Sequence, residues 1–169
     1  MSERTIVITG FMAAGKTTVA ASLARRLSCP MIDLDEFIRG REGRRAQEII
    51  DGGGEQHFRE IESKALRDAL ETEHARIIAL GGGAWTIPLN RALIKEHEGF
   101  TVWLDAPFEL CWRRIESEKG ARPFARDFDD ARKLYDKRRA VYEQAEFHVK
   151  VEGKEPGMIA EEIAEALPQ

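Results

Sequence analysis

Gly10-Phe11-Met12-Ala13-Ala14-Gly15-Lys16-Thr17 sets two glycines with four residues between them and follows the second with a lysine and a hydroxyl residue. Ahead of it, Thr5–Thr9 is a β-branched run that predicts a buried strand ending at Gly10. Behind it, Lys16–Ser28 places Val19, Ala20, Leu23, Ala24 and Leu27 on one helical face. Strand, glycine-rich loop and helix in this order match the phosphate-binding loop. Backbone N–H groups of the loop and of the helix N-terminus surround a polyphosphate. Lys16 then reaches the β and γ phosphates, and the Thr17 hydroxyl takes one Mg²⁺ position. The plainer alternative is an ordinary glycine turn. Nothing structural, however, calls for a lysine at the positive end of a helix, where the macrodipole disfavours it.

Outward from this loop, short apolar runs alternate with helical patterns. Strands are expected at Pro30–Leu34, Arg76–Leu80, Phe100–Leu104 and Phe147–Val151. Helices are expected at Glu42–Asp51, Gln56–Glu73, Pro88–His97, Pro107–Glu118, Phe128–Ala145 and Gly157–Leu167. The alternation implies an α/β fold: a P-loop-type parallel sheet of about five strands with helices on both faces and ligands at the carboxyl ends of the strands. A two-helix stretch over 35–73 reads as an insertion, and 119–127, rich in charge with Gly and Pro, as an exposed loop. The whole of 1–169 reads as one domain.

The chain has 169 residues and a net charge of −4, which disfavours a general nucleic-acid or polybasic membrane binder. No apolar run approaches the roughly 20 residues of a membrane span, and Met1–Gly10 lacks the apolar core of a signal peptide. Cys29 and Cys111 lie far apart and read as reduced thiols. His57, His74, His97 and His148 are too scattered for a zinc site. One bias remains: arginines outnumber lysines 18 to 8, and arginine suits bidentate recognition of anions.

Several polar residues stand where a core or turn residue is the simpler choice. Asp33 and Asp35 follow the apolar Met31-Ile32. If they continue the strand they point to one side at the sheet edge, one to hold a Mg²⁺ shell and the other to take a hydroxyl proton; helix capping by Asp35 is the plainer reading. Arg138 falls on the inward face of its helix, between Tyr135 and Tyr142, and a buried arginine needs an anion. Arg59 lies between Phe58 and Ile61, spaced to pair with Glu55 and Glu62. Arg122 lies in the exposed loop, where it has the form of a lid arginine closing on a transferring phosphate. For each arginine a surface salt bridge or a solvated charge is the alternative. Gly81-Gly82-Gly83 follows a buried strand and lets backbone N–H groups approach a ligand closely. Gly52–Gly54 ends one helix and starts the next.

Taken in order, Gly-Phe-Met-Ala-Ala-Gly-Lys-Thr-Thr at 10–18, Ile-Asp-Leu-Asp at 32–35, Gly-Glu-Gln-His-Phe-Arg-Glu-Ile-Glu at 54–62, Leu-Gly-Gly-Gly-Ala at 80–84, Arg-Pro at 122–123, and Arg138 four before Tyr142 resemble the shikimate kinase family across nearly the whole chain. The resemblance implies transfer of the ATP γ-phosphoryl group to the 3-hydroxyl of shikimate, in aromatic amino-acid biosynthesis. It implies that Ala13, Ala14, Gly15, Lys16, Thr17 and Thr18 hold the ATP phosphates, and that Lys16 and Arg122 contact the transferring group. Thr17, with Asp33 nearby, would hold Mg²⁺. Asp35 would bind the reacting hydroxyl and act as base. Arg59, Arg138 and the Gly81, Gly82 and Gly83 backbone would hold shikimate, with Glu62 holding an arginine in place. Arg114 and Pro156 match positions that sandwich adenine. A cytoplasmic monomer is implied as well.

The chain also departs from that pattern. Ala13 stands where the family usually has glycine; if the position needs a positive φ, alanine costs about 1 kcal/mol. Ala46 and Ile50 stand where a bulkier Ile and Phe commonly line the substrate pocket. Phe124 replaces a lid leucine and Ala140 a proline. Two rival readings share the core motifs: a sugar-acid kinase of the gluconate type, and a non-catalytic ATP-binding module.

Overall fold

The structure is a computed structural model that describes residues 3–73, 75–118 and 127–169. Five strands form one sheet: β1 (Ile6–Thr9), β2 (Met31–Asp33), β3 (Ile77–Ala79), β4 (Phe100–Asp105) and β5 (Phe147–Lys150). Their order is β2-β3-β1-β4-β5, and every pairing is parallel, with Ile6 beside Ile77 and Phe100, and Val102 beside Phe147. β1 and β3 are buried throughout. Strands covered on both faces read as continuous apolar runs, and these do. β5, at an edge, alternates instead: Val149 is buried while His148 and Lys150 are exposed.

Among the described residues eight α-helices connect and cover the strands: α1 (Lys16–Leu27), α2 (Leu34–Glu42), α3 (Ala46–Gly53), α4 (Glu55–Glu71), α5 (Pro88–Glu96), α6 (Phe108–Ser117), α7 (Phe128–Tyr142) and α8 (Pro156–Ala166). Right-handed crossovers put α1 on one face of the sheet and α4 and α5 on the other. α8 packs against α1. The core runs through both layers, with Ile6, Ile8, Leu23, Ile78, Val102, Leu104 and Ile163 fully enclosed. The loops after β1, β2 and β3 all leave the same carboxyl edge, and the cavity described below opens there.

The stretch after β2 departs from the sequence reading. No strand continues through Leu34. Asp33 ends β2 and accepts a hydrogen bond from the Glu36 backbone N–H at 3.1 Å, so it is the N-cap and α2 begins at Leu34. Asp35 therefore belongs to the first turn of a helix rather than to a strand. The expected helix over Glu42–Asp51 is also split. Gly43 takes φ 69 and closes α2, and α3 starts at Ala46. Three helices, not two, lie between β2 and β3. Gly54, at φ 91, ends α3 and opens α4, as its glycine triplet predicts. Phe128, the first residue of α7, is half exposed and meets Phe108 and Trp112 edge-on.

Candidate active site

The loop from Gly10 to Gly15 turns on two left-handed residues, Ala13 (φ 61) and Gly15 (φ 99). Gly15 is the N-cap of α1 and supplies no side-chain cap, so the first N–H groups of α1 are left for a ligand. Lys16 is buried and lies along the loop, its Nζ donating to the carbonyls of Gly10 and Phe11, each at 2.9 Å. The Thr17 hydroxyl donates to the second carboxylate oxygen of Asp33. Asp33, and not Asp35, is the helix cap: one of its oxygens caps α2 and the other meets the threonine of the loop. Arg114 of α6 reaches the loop from outside, donating to the Ala13 carbonyl at 2.8 Å.

These groups line one end of a cavity of about 580 Å³, and Asp35, Arg59, Arg138 and the Gly81–Gly83 turn line the other. Arg114 and Pro156 face the phosphate end, where Pro156 is the first residue of α8. The glycine triplet has a more specific reason than flexibility. A Cβ on Gly81 would lie 2.8 Å from Asp35 Oδ1, and one on Gly82 would lie 3.3 Å from Arg138 Nη1. A Cβ on Gly83 would collide with Arg59 Nη2 and lie 2.9 Å from Arg138 Nη2. The space three side chains would fill is taken by one carboxylate and two guanidiniums. The ionic groups of the substrate end converge because the turn after β3 is bare.

Each arginine at that end is held from behind. Arg59 donates to Glu62 at 2.7 Å and also faces Glu55 at 3.7 Å. Glu62 is 1 % exposed. Burial pushes its carboxyl up to about 7, with Arg59 opposing the rise. Arg138 is buried at 7 % exposure. Its neighbour Tyr142 is almost wholly enclosed, and burial pushes the phenol up to about 12, so it stays protonated. The Tyr142 hydroxyl donates to the Gly82 carbonyl at 2.5 Å and faces the Arg138 guanidinium, whose positive charge opposes the rise. The turn is tied further by Thr86, which donates to the Gly83 carbonyl at 2.6 Å, and by buried Asn90, which donates to the Ala84 carbonyl at 2.9 Å. Trp85 joins it to α7 through the Val141 carbonyl at 2.9 Å.

The structure therefore brings Ala13, Ala14, Gly15, Lys16, Thr17, Thr18, Asp33, Asp35, Arg59, Gly81, Gly82, Gly83, Arg114, Arg138 and Pro156 to one cavity. Ala46 lines it too, and Ile50 packs nearby, half-buried. Arg122, Pro123 and Phe124 lie outside the described residues, as does all of the 119–127 loop except Asp127, which caps α7. Sequence reading missed the Tyr142 hydroxyl. The signal that could have found it is burial, since a buried phenol needs a polar partner.

Among the described residues no group of three His, Cys, Asp or Glu side chains is placed to hold a metal by protein ligands alone. A threonine hydroxyl beside one carboxylate is the donor set of a Mg²⁺ that takes its remaining oxygens from phosphates and water. Among the described residues, too, no helix is long and apolar enough to cross a membrane.

Comparison with known proteins covers the whole of this arrangement. The family model described as shikimate kinase matches residues 12–168. A shikimate kinase of Aquifex aeolicus is 35% identical over 162 residues, spanning 96% of this chain and 95% of that protein. One from Persephonella marina is 31% identical over 160 residues, spanning 95% and 96%. A solved shikimate kinase of Acinetobacter baumannii, in complex with shikimate, superposes with a TM-score of 0.88 at 29% identity, covering 97% of this chain and 92% of that one.

Proposed function

The chain belongs to the shikimate kinase family, and from that premise we propose that it transfers the γ-phosphoryl group of ATP to the 3-hydroxyl of shikimate. The observation that carries the reading is the meeting of Asp35, Arg59 and Arg138 on a bare glycine turn, in the same cavity as the phosphate loop. A carboxylate substrate with a reactive hydroxyl fits that end, and a triphosphate fits the other.

In this reading the α1 N-terminus and Lys16 hold the β and γ phosphates and take up charge as it develops on the transferring group. Arg114 and Pro156 enclose the base of the nucleotide. Thr17 and Asp33 would hold Mg²⁺ with the nucleotide, and the ion would supply neutralisation of phosphate charge. Arg59 and Arg138 fix the shikimate carboxylate, which aims the 3-hydroxyl at the γ-phosphorus. The hydroxyl oxygen forms the new bond to phosphorus while the bond to the ADP oxygen breaks. Asp35 receives the hydroxyl proton. Arg122 joins from the 119–127 loop. The 35–73 stretch forms the substrate-binding part of a single kinase domain that works as a cytoplasmic monomer.

Most of the work is positioning and charge stabilisation, as phosphoryl transfer requires. The test is ADP release from Mg²⁺-ATP across a panel of hydroxy acids. Shikimate should stimulate it strongly and gluconate should not. A folded, ATP-binding protein that shikimate fails to stimulate would refute the substrate assignment. ATP binding with no transfer to any polyol would point to the non-catalytic module.

A further inference from the structure

One buried polar group at the substrate end has no place in the reaction above. The Tyr142 hydroxyl sits between two parts of the site: it faces the Arg138 guanidinium and donates at 2.5 Å to the carbonyl of Gly82, the residue whose Cβ would lie 3.3 Å from Arg138 Nη1. Its ring is fixed independently, stacked on Trp103 with centroids 6.2 Å apart and enclosed by the core. The backbone one residue earlier, at Val141, is held by Trp85 of the glycine turn at 2.9 Å. The hydroxyl is therefore aimed by a rigid ring on a rigid helix. A guanidinium such as that of Arg138 ends a long flexible side chain, whose rotamers must be restricted before it binds an anion in one geometry. The Gly82 peptide has the same need, since glycine leaves its backbone free.

We propose that Tyr142 is a positioning residue for substrate: its hydroxyl locks the Arg138 guanidinium to the Gly82 peptide, so that the two present one preformed receptor for the substrate carboxylate. This rests on the reading of Arg138 and Gly82 as substrate contacts. Tyr142 does not itself line the cavity, and it acts only through those two groups. It does not touch the phosphate loop, so its effect belongs to the carboxylate substrate and not to ATP.

Steady-state kinetics of Tyr142→Phe, Arg138→Met and the double variant test this. The phenylalanine ring keeps the Trp103 stack and removes only the hydroxyl. Tyr142→Phe should raise the shikimate KM about tenfold, the size expected when a buried hydrogen-bonding group loses its partner, and leave the ATP KM within about twofold. The double variant should have a shikimate KM close to that of Arg138→Met alone, because the hydroxyl acts through that arginine. A merely structural role would instead multiply the two effects or raise both KM values together. If Arg138→Met raises the shikimate KM while Tyr142→Phe leaves it within twofold, the positioning role is wrong and the site reading stands. If Arg138→Met itself leaves KM unchanged, the site reading fails and this inference with it. Should Tyr142→Phe not fold, Gly82→Ala presses on the same junction from the other side, 3.3 Å from Arg138 Nη1. It should raise the shikimate KM and spare that of ATP; equal effects on both would overturn the proposal.

Discussion

The two ends of the cavity are built in opposite ways. The phosphate end is one continuous segment, Gly10 to Thr18, whose ligand groups are chiefly backbone N–H groups, with Lys16 laid along the loop carbonyls. The substrate end is made of side chains from α2, α4 and α7, gathered on a turn after β3. Backbone donors come with the helix they begin and need no further support. Guanidiniums must be held, and here each has a buried polar neighbour: Glu62 bonded to Arg59, and Tyr142 beside Arg138. In the proposed reaction, anchoring of this kind would make the substrate end the more fragile half and the source of selectivity.

Replacements of single groups can break that contrast. Asp35→Asn removes the proton acceptor without touching the loop, so turnover should fall by roughly 10²- to 10⁴-fold. ATP affinity, measured by titration calorimetry, should stay within about twofold. Wild-type turnover would take Asp35 out of the reaction. Arg138→Met should raise the shikimate KM on the order of 100-fold, the cost of truncating one partner of a buried charge pair. The ATP KM should hold; equal changes in both would erase the distinction between the ends.

A smaller effect should appear in stability. The Glu62 carboxyl ionises near its ordinary value of 4.5 in the unfolded chain and at about 7 in the folded one. The folded state thus holds the proton more tightly. Stability is greatest below the lower value, falls as pH rises toward about 7, and levels off above it. Urea unfolding across this range should show that decline in the wild type and a flatter profile in Glu62→Gln. An unchanged profile would assign the slope to other groups. The smallest change belongs to the phosphate end. Ala13→Gly relieves a left-handed alanine at φ 61, partly offset by the greater freedom of glycine in the unfolded chain. The net gain should be about 1 kcal/mol or less, a rise in Tm of about 2–4 °C. A fall would show that the alanine methyl makes packing contacts worth more than the strain.

Legibility in the sequence divides along the same line. The phosphate loop, all five strands and the closing helix were readable because each is local: a run of β-branched residues, a glycine spacing, a 3.6-residue period. Arg59 and Arg138 stood out as charges on apolar faces, and the pairing of Arg59 with Glu62 followed from their spacing of three on α4. The region after β2 was misread. The alternation Met31-Ile32-Asp33-Leu34-Asp35 suits a strand as well as a helix start, and the capping bond from Glu36 to Asp33 decides between them. The purpose of Gly81–Gly83 was only half visible, because the side chains that fill its space come from α2, α4 and α7, and those from α7 stand more than fifty positions away.

By itself, then, the sequence determined a parallel α/β sheet, a phosphate loop on its first strand and an unusual stock of inward arginines, since these depend on contacts between near neighbours along the chain. Only the tertiary structure decided which anion-binding groups share a cavity, why three consecutive glycines are needed to admit them, and that a tyrosine hydroxyl bonds the turn beside one of the arginines. Those are relations between distant segments, and they exist once the strand order β2-β3-β1 brings three loops to the same edge.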